Sequence, residues 1–146
     1  MSRTVAIVCT LAAGVLAGIQ PPANASLARH VGDLGAAFVS LVFSAAIIGG
    51  LMLAFGDAGR LSGITTVRPE HALGGIAGAT IVAVSLVAVR AVGAGAVVAL
   101  LVAAQVILSV IADRFGWFGL HHIGLDAGRI AGVALVIAGT LLVTKS

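Results

Sequence analysis

The sequence predicts an all-α integral membrane protein with five transmembrane helices. Of its 146 residues, 60% are hydrophobic and only 9% are charged, and the mean hydropathy is +1.22. A soluble domain has about 25% charged residues, which form the shell that faces water. Because this chain has too few charges to form such a shell, we expect its solvent to be a lipid bilayer.

Charged and turn-forming residues divide the chain into five apolar runs. The runs predict helices at about residues 4–29, 34–55, 70–89, 92–113 and 126–144, all within a single membrane domain over residues 1–146. Each run is close to the roughly 20 residues that cross a hydrocarbon core about 30 Å thick. We expect helices rather than strands, because the runs are continuous and a helix pairs its own backbone N–H and C=O groups in lipid.

The first run contains GIQPPANASLARH, which interrupts its apolar pattern. Pro21 and Pro22 each lack an N–H group, so we expect the helix to break near Gln20 and to leave backbone carbonyls without partners. Gln20 and Asn24 are four residues apart and share a helix face, where they predict a polar path through the membrane. The alternative for both amides is hydrogen bonding to neighbouring helices, which only strengthens helix packing.

The same segment also fits the end of a secretory signal peptide. Arg3 would form the basic n-region, residues 5–19 would form the apolar h-region, and the sequence ANA before Ser26 matches the A-x-A cleavage pattern. Cleavage there would leave four spans, although the rest of the chain is organised as pairs of helices. The signal-peptide interpretation is therefore the weaker alternative to a five-helix chain.

The second run carries no charged residue, and two serines lie on one of its faces. Ser40 and Ser44 are four residues apart, so their hydroxyls would support the polar path. The alternative is that each hydroxyl bonds to its own helix backbone. The short connection RHVGDLG predicts that the first two helices are antiparallel neighbours.

The third helix is expected to start beside Pro69, and the fourth contains Gln105 near its middle. Gln105 is the only amide or charged side chain in that stretch, and its burial without partners would cost several kcal/mol. We therefore expect it to face other helices and to form a midplane polar site with Gln20. The carboxylates all lie near helix ends or in loops: Asp33, Asp57, Glu70, Asp113 and Asp126.

The last helix is rich in glycine and has a different predicted role. Gly128, Gly132 and Gly139 allow the backbones of two helices to approach closely, which favours association in lipid. This pattern predicts a helix for packing or dimerisation. Packing inside one protomer is the competing explanation.

Several classes of function are not supported by the sequence. The eight basic residues are scattered singly, so no nucleic-acid partner is expected. His121 and His122 are adjacent and have no Cys or Glu nearby, so no metal site is predicted. No catalytic triad or phosphate-binding loop is visible, and we therefore predict neither an enzyme nor a cofactor. The scattered basic residues only weakly favour a cytoplasmic N-terminus, which leaves open both orientations in the membrane.

Two stretches resemble the five-helix YdcZ-type group of the drug/metabolite transporter superfamily. They are GIQPPANASLARHVGDLGAAFVSLVFSAAIIGGLMLAF and AAQVILSVIADRFGWFGLHHIGLDAGRIAGVALVIAGTLLV. The shared features are a Gln and an Asn-Ala pair before a Gly-containing turn, a later mid-helix Gln, an Asp-x-Phe-Gly step and a final Gly-rich helix. The middle of the chain departs from the group, because TTVRPEHALGG stands where a Trp-rich entry to the third helix is expected.

The resemblance implies half of a ten-helix transporter that is built from two inverted five-helix repeats. It implies a multi-pass protein of the bacterial-type cytoplasmic (inner) membrane, and a homodimer or a paralogue heterodimer. The matching polar positions are Gln20, Asn24 and Gln105. The implied function is a secondary transporter subunit that moves an unidentified small solute by alternating access. A non-transporting scaffold, whose polar residues only pack helices, is the alternative.

Overall fold

The computed structural model describes residues 2–66, 72–119 and 121–145. Its α-helices are α1 (Arg3–Ala54), α2 (Leu73–Val92), α3 (Ala94–Phe115) and α4 (Ala127–Lys145), and 3-10 helix forms at Asp57–Thr66 and Trp117–Gly119. No strand occurs in these ranges. Each α-helix is long and apolar enough to cross a membrane, so the predicted all-helical membrane class is confirmed.

Helix α1 consists of two helical arms joined at a single residue. Gly32 has φ 73° and ψ 168°, whereas the backbone on both sides is helical. This combination of angles is accessible essentially to glycine alone. We call residues 3–31 the first arm and residues 33–54 the second arm. The two arms correspond to the first two predicted helices, and the break between them is shorter than the predicted turn.

The chain reverses its direction at Gly32. Ala13 on the first arm and Ile48 on the second arm line the same groove. In a straight helix these residues would be about 50 Å apart at 1.5 Å per residue. The two arms therefore form a hairpin, as expected for antiparallel neighbours.

The prediction of a helix break near Gln20 was wrong. The first arm is helical through Pro21 and Pro22. Proline holds φ near −65°, which is a helical value, so the backbone can continue even though the N–H is lost. The carbonyls of Ala17 and Gly18, four residues earlier, lose the N–H groups that would bond to them in an α-helix without proline.

Residues 1–90 form one compact unit, with a small core beside the turn of the hairpin. The buried residues of this core are Ala28, Ala36, Ala37, Val82 and Leu86. The alanines allow the two arms to approach closely near Gly32, and the Val and Leu come from α2. This packing holds α2 against the closed end of the hairpin.

Residues 91–146 form a second compact unit, in which α3 and α4 pack together. The hydroxyl of Thr140 is buried and donates a hydrogen bond to the carbonyl oxygen of Ala99 at 3.2 Å. A polar bond between two apolar helices fixes their register. The predicted single domain over residues 1–146 stays a prediction.

Most helix ends lie within three residues of the predicted ones. Helix α3 ends at Phe115, where Gly116 adopts the left-handed conformation and its N–H bonds to the carbonyl of Ala112. This is a common way for a helix to end. The predicted start of the third helix at residue 70, with Pro69 and Glu70, lies outside the described residues.

Candidate functional site

An open groove of about 980 Å³ lies between the two arms of α1. Its first wall extends from Ala13 to Leu27 and its second wall from Val39 to Ile48. Leu27 and Val39 are nearest in sequence to Gly32 and mark the closed end of the hairpin. The groove therefore runs along the hairpin toward its open end.

The polar residues predicted on the two arms line this one groove. Gln20 and Asn24 are on the first wall, and Ser40 and Ser44 are on the second. The spacing of four residues places each pair on one face of its helix, and the reversal at Gly32 places the two faces on the same groove. The structure thus brings together four of the five predicted path residues.

Asn24 is the buried polar side chain of the groove. It is only 7% exposed, and its Nδ2 atom has no hydrogen-bond partner. A buried donor without a partner costs about 1–3 kcal/mol. The amide nitrogen is therefore a buried donor that the described residues of this chain leave unsatisfied. Gln20, one turn earlier, is exposed.

The hydroxyl of Ser44 makes a hydrogen bond within its own helix. The Ser44 hydroxyl donates to the carbonyl oxygen of Ser40 at 2.9 Å, so its proton is bound by its own helix. This is the back-bonding that serines commonly make in membrane helices. The oxygen of Ser44 keeps its capacity to accept a hydrogen bond.

No charged side chain is among the described residues that line the groove. The carboxylates of Asp33 and Asp113 are paired elsewhere, with Arg90 and Arg129 respectively. Within residues 2–66, 72–119 and 121–145, no group of three metal-binding side chains is present. The groove therefore offers hydrogen bonds and apolar surface rather than charge.

Gln105, the fifth predicted path residue, lies in the second compact unit. Its side chain is exposed on α3, so within that unit α4 does not cover it. Exposure of an amide at mid-helix is costly in lipid. Gln105 therefore needs a polar partner from outside its own helix pair.

The glycines predicted for packing leave an open face on α4. A Cβ built at Gly132 or Gly139 meets no described atom within 4 Å, and one at Gly128 meets only Oδ1 of Asp126, at 3.3 Å. Contacts inside the protomer, as far as its residues are described, do not use the small size of these glycines. Their role in dimerisation stays a prediction.

A charged cluster joins the end of α3 to the start of α4, and the sequence reasoning missed it. Arg129 donates to Oδ2 of Asp113 at 3.1 Å, and the N–H of Arg129 donates to Oδ1 of Asp126 at 2.7 Å. Arg114 is hydrogen-bonded to Nε2 of His122. The sequence did indicate this cluster, because acidic and basic residues stand at both ends of the connection between α3 and α4. This cluster is remote in sequence from the groove and fixes the α3–α4 connection.

Phe43 lines the groove but was not predicted to do so from the sequence, although its spacing from Ser40 indicated it. It lies three residues after Ser40 on the same helix face. An apolar residue between the two serines makes the second wall mixed in character.

Comparison with known proteins gives a family match along most of the chain. The family model described as "DMT_YdcZ: Putative inner membrane exporter, YdcZ" matches residues 5–142. The match includes both arms of α1 and most of each of the other helices. No curated protein and no solved structure matches the chain.

Proposed function

The chain belongs to the DMT_YdcZ family of inner membrane proteins, and we propose that it is a secondary transporter subunit that works by alternating access. Its cargo is a small solute, and its working form is a dimer with a second copy or with a paralogue. In that dimer each chain supplies one half of a ten-helix arrangement like that of drug/metabolite transporters.

The observation that carries this proposal is the polar groove of the α1 hairpin. An unpaired amide on a membrane helix is expensive where it faces acyl chains, so it is expected to face protein or a polar cavity. Here Gln20, Asn24, Ser40 and Ser44 line one groove, and the Asn24 nitrogen has no partner. A scaffold that used these groups only for packing would be expected to pair the buried amide.

The hairpin also supports a five-span topology. Residues 3–31 and 33–54 each exceed the roughly 20 residues that cross the hydrocarbon core, and the direction of the chain reverses between them. With α2, α3 and α4 this makes five crossings, which would place the two ends on opposite sides of the membrane. A second copy in the opposite orientation would then form the inverted repeat.

Two exposed features support a partner chain. Gly132 and Gly139 leave the face of α4 open, and such faces let two helices pack closely in lipid. Gln105 is exposed on α3. In the proposed dimer the partner covers Gln105, which joins the path there.

Reconstitution in proteoliposomes tests the function. The purified protein is screened for uptake of neutral, cationic and anionic radiolabelled solutes, with and without an imposed proton or sodium gradient. We expect at least one solute to cross faster than in protein-free vesicles, and Gln20→Leu, Asn24→Leu and Gln105→Leu each to reduce that rate about tenfold or more while expression is retained.

Thr80→Val is the matched control. The Thr80 hydroxyl is on α2, outside the groove, and bonds to the carbonyl of Ile76 in its own helix at 2.8 Å. Transport by this variant should equal that of the wild type. The scaffold alternative predicts that no solute crosses at all, and that the amide variants change only the stability of the protein.

A further inference from the structure

Three features of the walls of the α1 groove lead to an inference about the charge of the solute that it accepts. The inference rests on the proposed transport function, because it names the class of solute that the same groove accepts.

The first feature is the lack of a counter-charge. Among the residues that the structure describes, those that line the groove include no Asp, Glu, Lys or Arg, and Asp33 at the closed end of the hairpin is already paired with Arg90. Transfer of an ion from water into a site of low dielectric is unfavourable unless an opposite charge is present. A cation or an anion in this groove would lose its hydration without such compensation.

The second feature is a set of neutral hydrogen-bonding groups. The Asn24 amide is buried and its nitrogen has no partner, so a turn of this side chain toward the groove would let it donate to a carbonyl or hydroxyl oxygen. Because Pro21 lacks an N–H, the carbonyl of Ala17, which lines the same wall, lacks its helical partner and can accept. The Ser44 oxygen on the opposite wall can accept as well. Walls that carry a hydrogen-bond donor beside acceptors suit a solute whose polar head can both accept and donate a hydrogen bond, such as an amide or an alcohol.

The third feature is the apolar remainder of the walls. Leu16 on the first wall and Phe43 and Ile47 on the second line the groove, and all three are exposed in this chain. The volume of about 980 Å³ is at the upper end of the range for pockets that hold drug-sized molecules. The groove can therefore hold an apolar body next to a polar head.

We propose that the groove binds an uncharged amphipathic solute whose carbonyl or hydroxyl oxygen accepts a hydrogen bond from Asn24 and whose apolar body lies against Leu16, Phe43 and Ile47. Gln20, one turn from Asn24 on the same wall, offers a second amide to the polar head. The absence of charge on the walls sets the specificity, and the amide of Asn24 is the anchor.

A matched series of three ligands tests the charge selectivity directly. The probes are radiolabelled 4-phenylbutanamide, 4-phenylbutanoate and 4-phenylbutylammonium, which share one apolar body and differ in the charge of the head. Retention is measured by equilibrium dialysis against the full-length protein in nanodiscs, and the retention by empty nanodiscs is subtracted. We expect the wild type to retain the amide at least about tenfold more strongly than either ion, consistent with the cost of an uncompensated charge.

Two variants of Asn24 make the test specific. Asn24→Leu removes a neutral hydrogen bond, and we expect retention of the amide to fall about two- to tenfold. Asn24→Asp has nearly the same shape but adds a carboxylate, so we expect its preference to move from the amide to the ammonium compound. Thr80→Val should retain the amide within about twofold of the wild type.

The result that overturns the inference is retention of either ion by the wild type as strong as that of the amide. Absence of amide retention above that of empty nanodiscs overturns it as well. If Asn24→Leu does not fold, the nearly isosteric Asn24→Asp variant decides the question alone. Because the assay measures binding without transport, a charged solute that crosses in proteoliposomes would overturn the neutral specificity and leave the proposed transport function standing.

Discussion

Arg90, two residues before the end of α2, donates a hydrogen bond to the carboxylate of Asp33, the residue that follows Gly32. The contact ties α2 to the turn of the α1 hairpin, next to the core of Ala36 and Leu86. The side chains are 50% and 36% exposed, so solvent screens the pair. Its main effect is to position α2 rather than to add much stability.

Separate removal of the two charges should reveal this coupling. We expect Asp33→Asn and Arg90→Gln each to lower the thermal unfolding midpoint slightly, with a coupling energy below about 1 kcal/mol in a double-mutant cycle. The measurement is unfolding of the detergent-solubilised protein at low and high salt. A coupling energy of zero at low salt would contradict a stabilising role for this contact.

Substitution of Gly32 should destabilise the hairpin through backbone strain. An added Cβ meets nothing within 4 Å, but the angles φ 73° and ψ 168° cost a non-glycine residue about 1–3 kcal/mol. Gly32→Ala should therefore lower the unfolding midpoint. Gly18→Ala is the control, because Gly18 also has open space but lies inside the helix, where alanine is favoured by about 1 kcal/mol. We therefore expect Gly32→Ala to lower the unfolding midpoint and Gly18→Ala to raise it. Equal shifts of the midpoint in the two variants would contradict the explanation by backbone strain.

The two prolines of the first arm should respond differently to substitution. Pro21→Ala supplies an N–H for the carbonyl of Ala17 beside the groove, so it should weaken retention of 4-phenylbutanamide by about two- to tenfold. Pro22→Ala supplies an N–H for Gly18, which is not among the residues that line the groove. It should raise the unfolding midpoint, since proline is about 3 kcal/mol less favourable than alanine within a helix, and leave retention unchanged. The same effect of both variants on retention would argue against a role for the Ala17 carbonyl.

The contact between α3 and α4 can be tested at Thr140. Thr140→Val keeps the shape of the side chain but removes the hydrogen bond to Ala99, and we expect a loss of about 0.6–1.7 kcal/mol in unfolding free energy. Thr144→Val is the matched control, because the Thr144 hydroxyl bonds to the carbonyl of Thr140 in its own helix at 2.9 Å. Reversible unfolding in mixed micelles measures both. If the control loses as much as Thr140→Val, the interhelical bond is not the cause.

Large side chains on the open face of α4 should block dimer formation without unfolding the protomer. An added Cβ at Gly132 or Gly139 has no described neighbour within 4 Å, so Gly132→Leu and Gly139→Leu should keep the unfolding midpoint of the monomer. They should shift the mass measured by light scattering in detergent from dimer to monomer. Gly14→Leu, at an equally open glycine of α1, should leave the mass unchanged. A dimer that survives both α4 substitutions would place the interface elsewhere.

The sequence predicted most reliably the features that depend on residues within one turn of a helix. The four-residue spacing of Gln20 and Asn24, and of Ser40 and Ser44, correctly indicated which side chains share a face. The apolar runs correctly indicated where helices occur, because a backbone in lipid must pair its own polar groups. Which faces of different helices meet depends on the direction of the turn at Gly32, and no local pattern states that direction.

The turn at Gly32 lies inside the connection RHVGDLG that was predicted, whereas the additional break predicted near Gln20 was wrong. That prediction rested on the hydrogen bond that each of the two prolines removes. Proline nevertheless keeps a helical φ, whereas Gly32 adopts a φ that other residues avoid. The pairing of Arg90 with Asp33 was missed for another reason, since it joins residues that are far apart in the chain and becomes visible only after the hairpin has formed.

The one-residue connection at Gly32 has a consequence for biogenesis. Since only one residue separates the arms, we expect them to enter the bilayer together as a hairpin rather than one after the other. All of the residues that line the groove have emerged by Ile48. The residues of this groove are thus all synthesised before α2, α3 and α4.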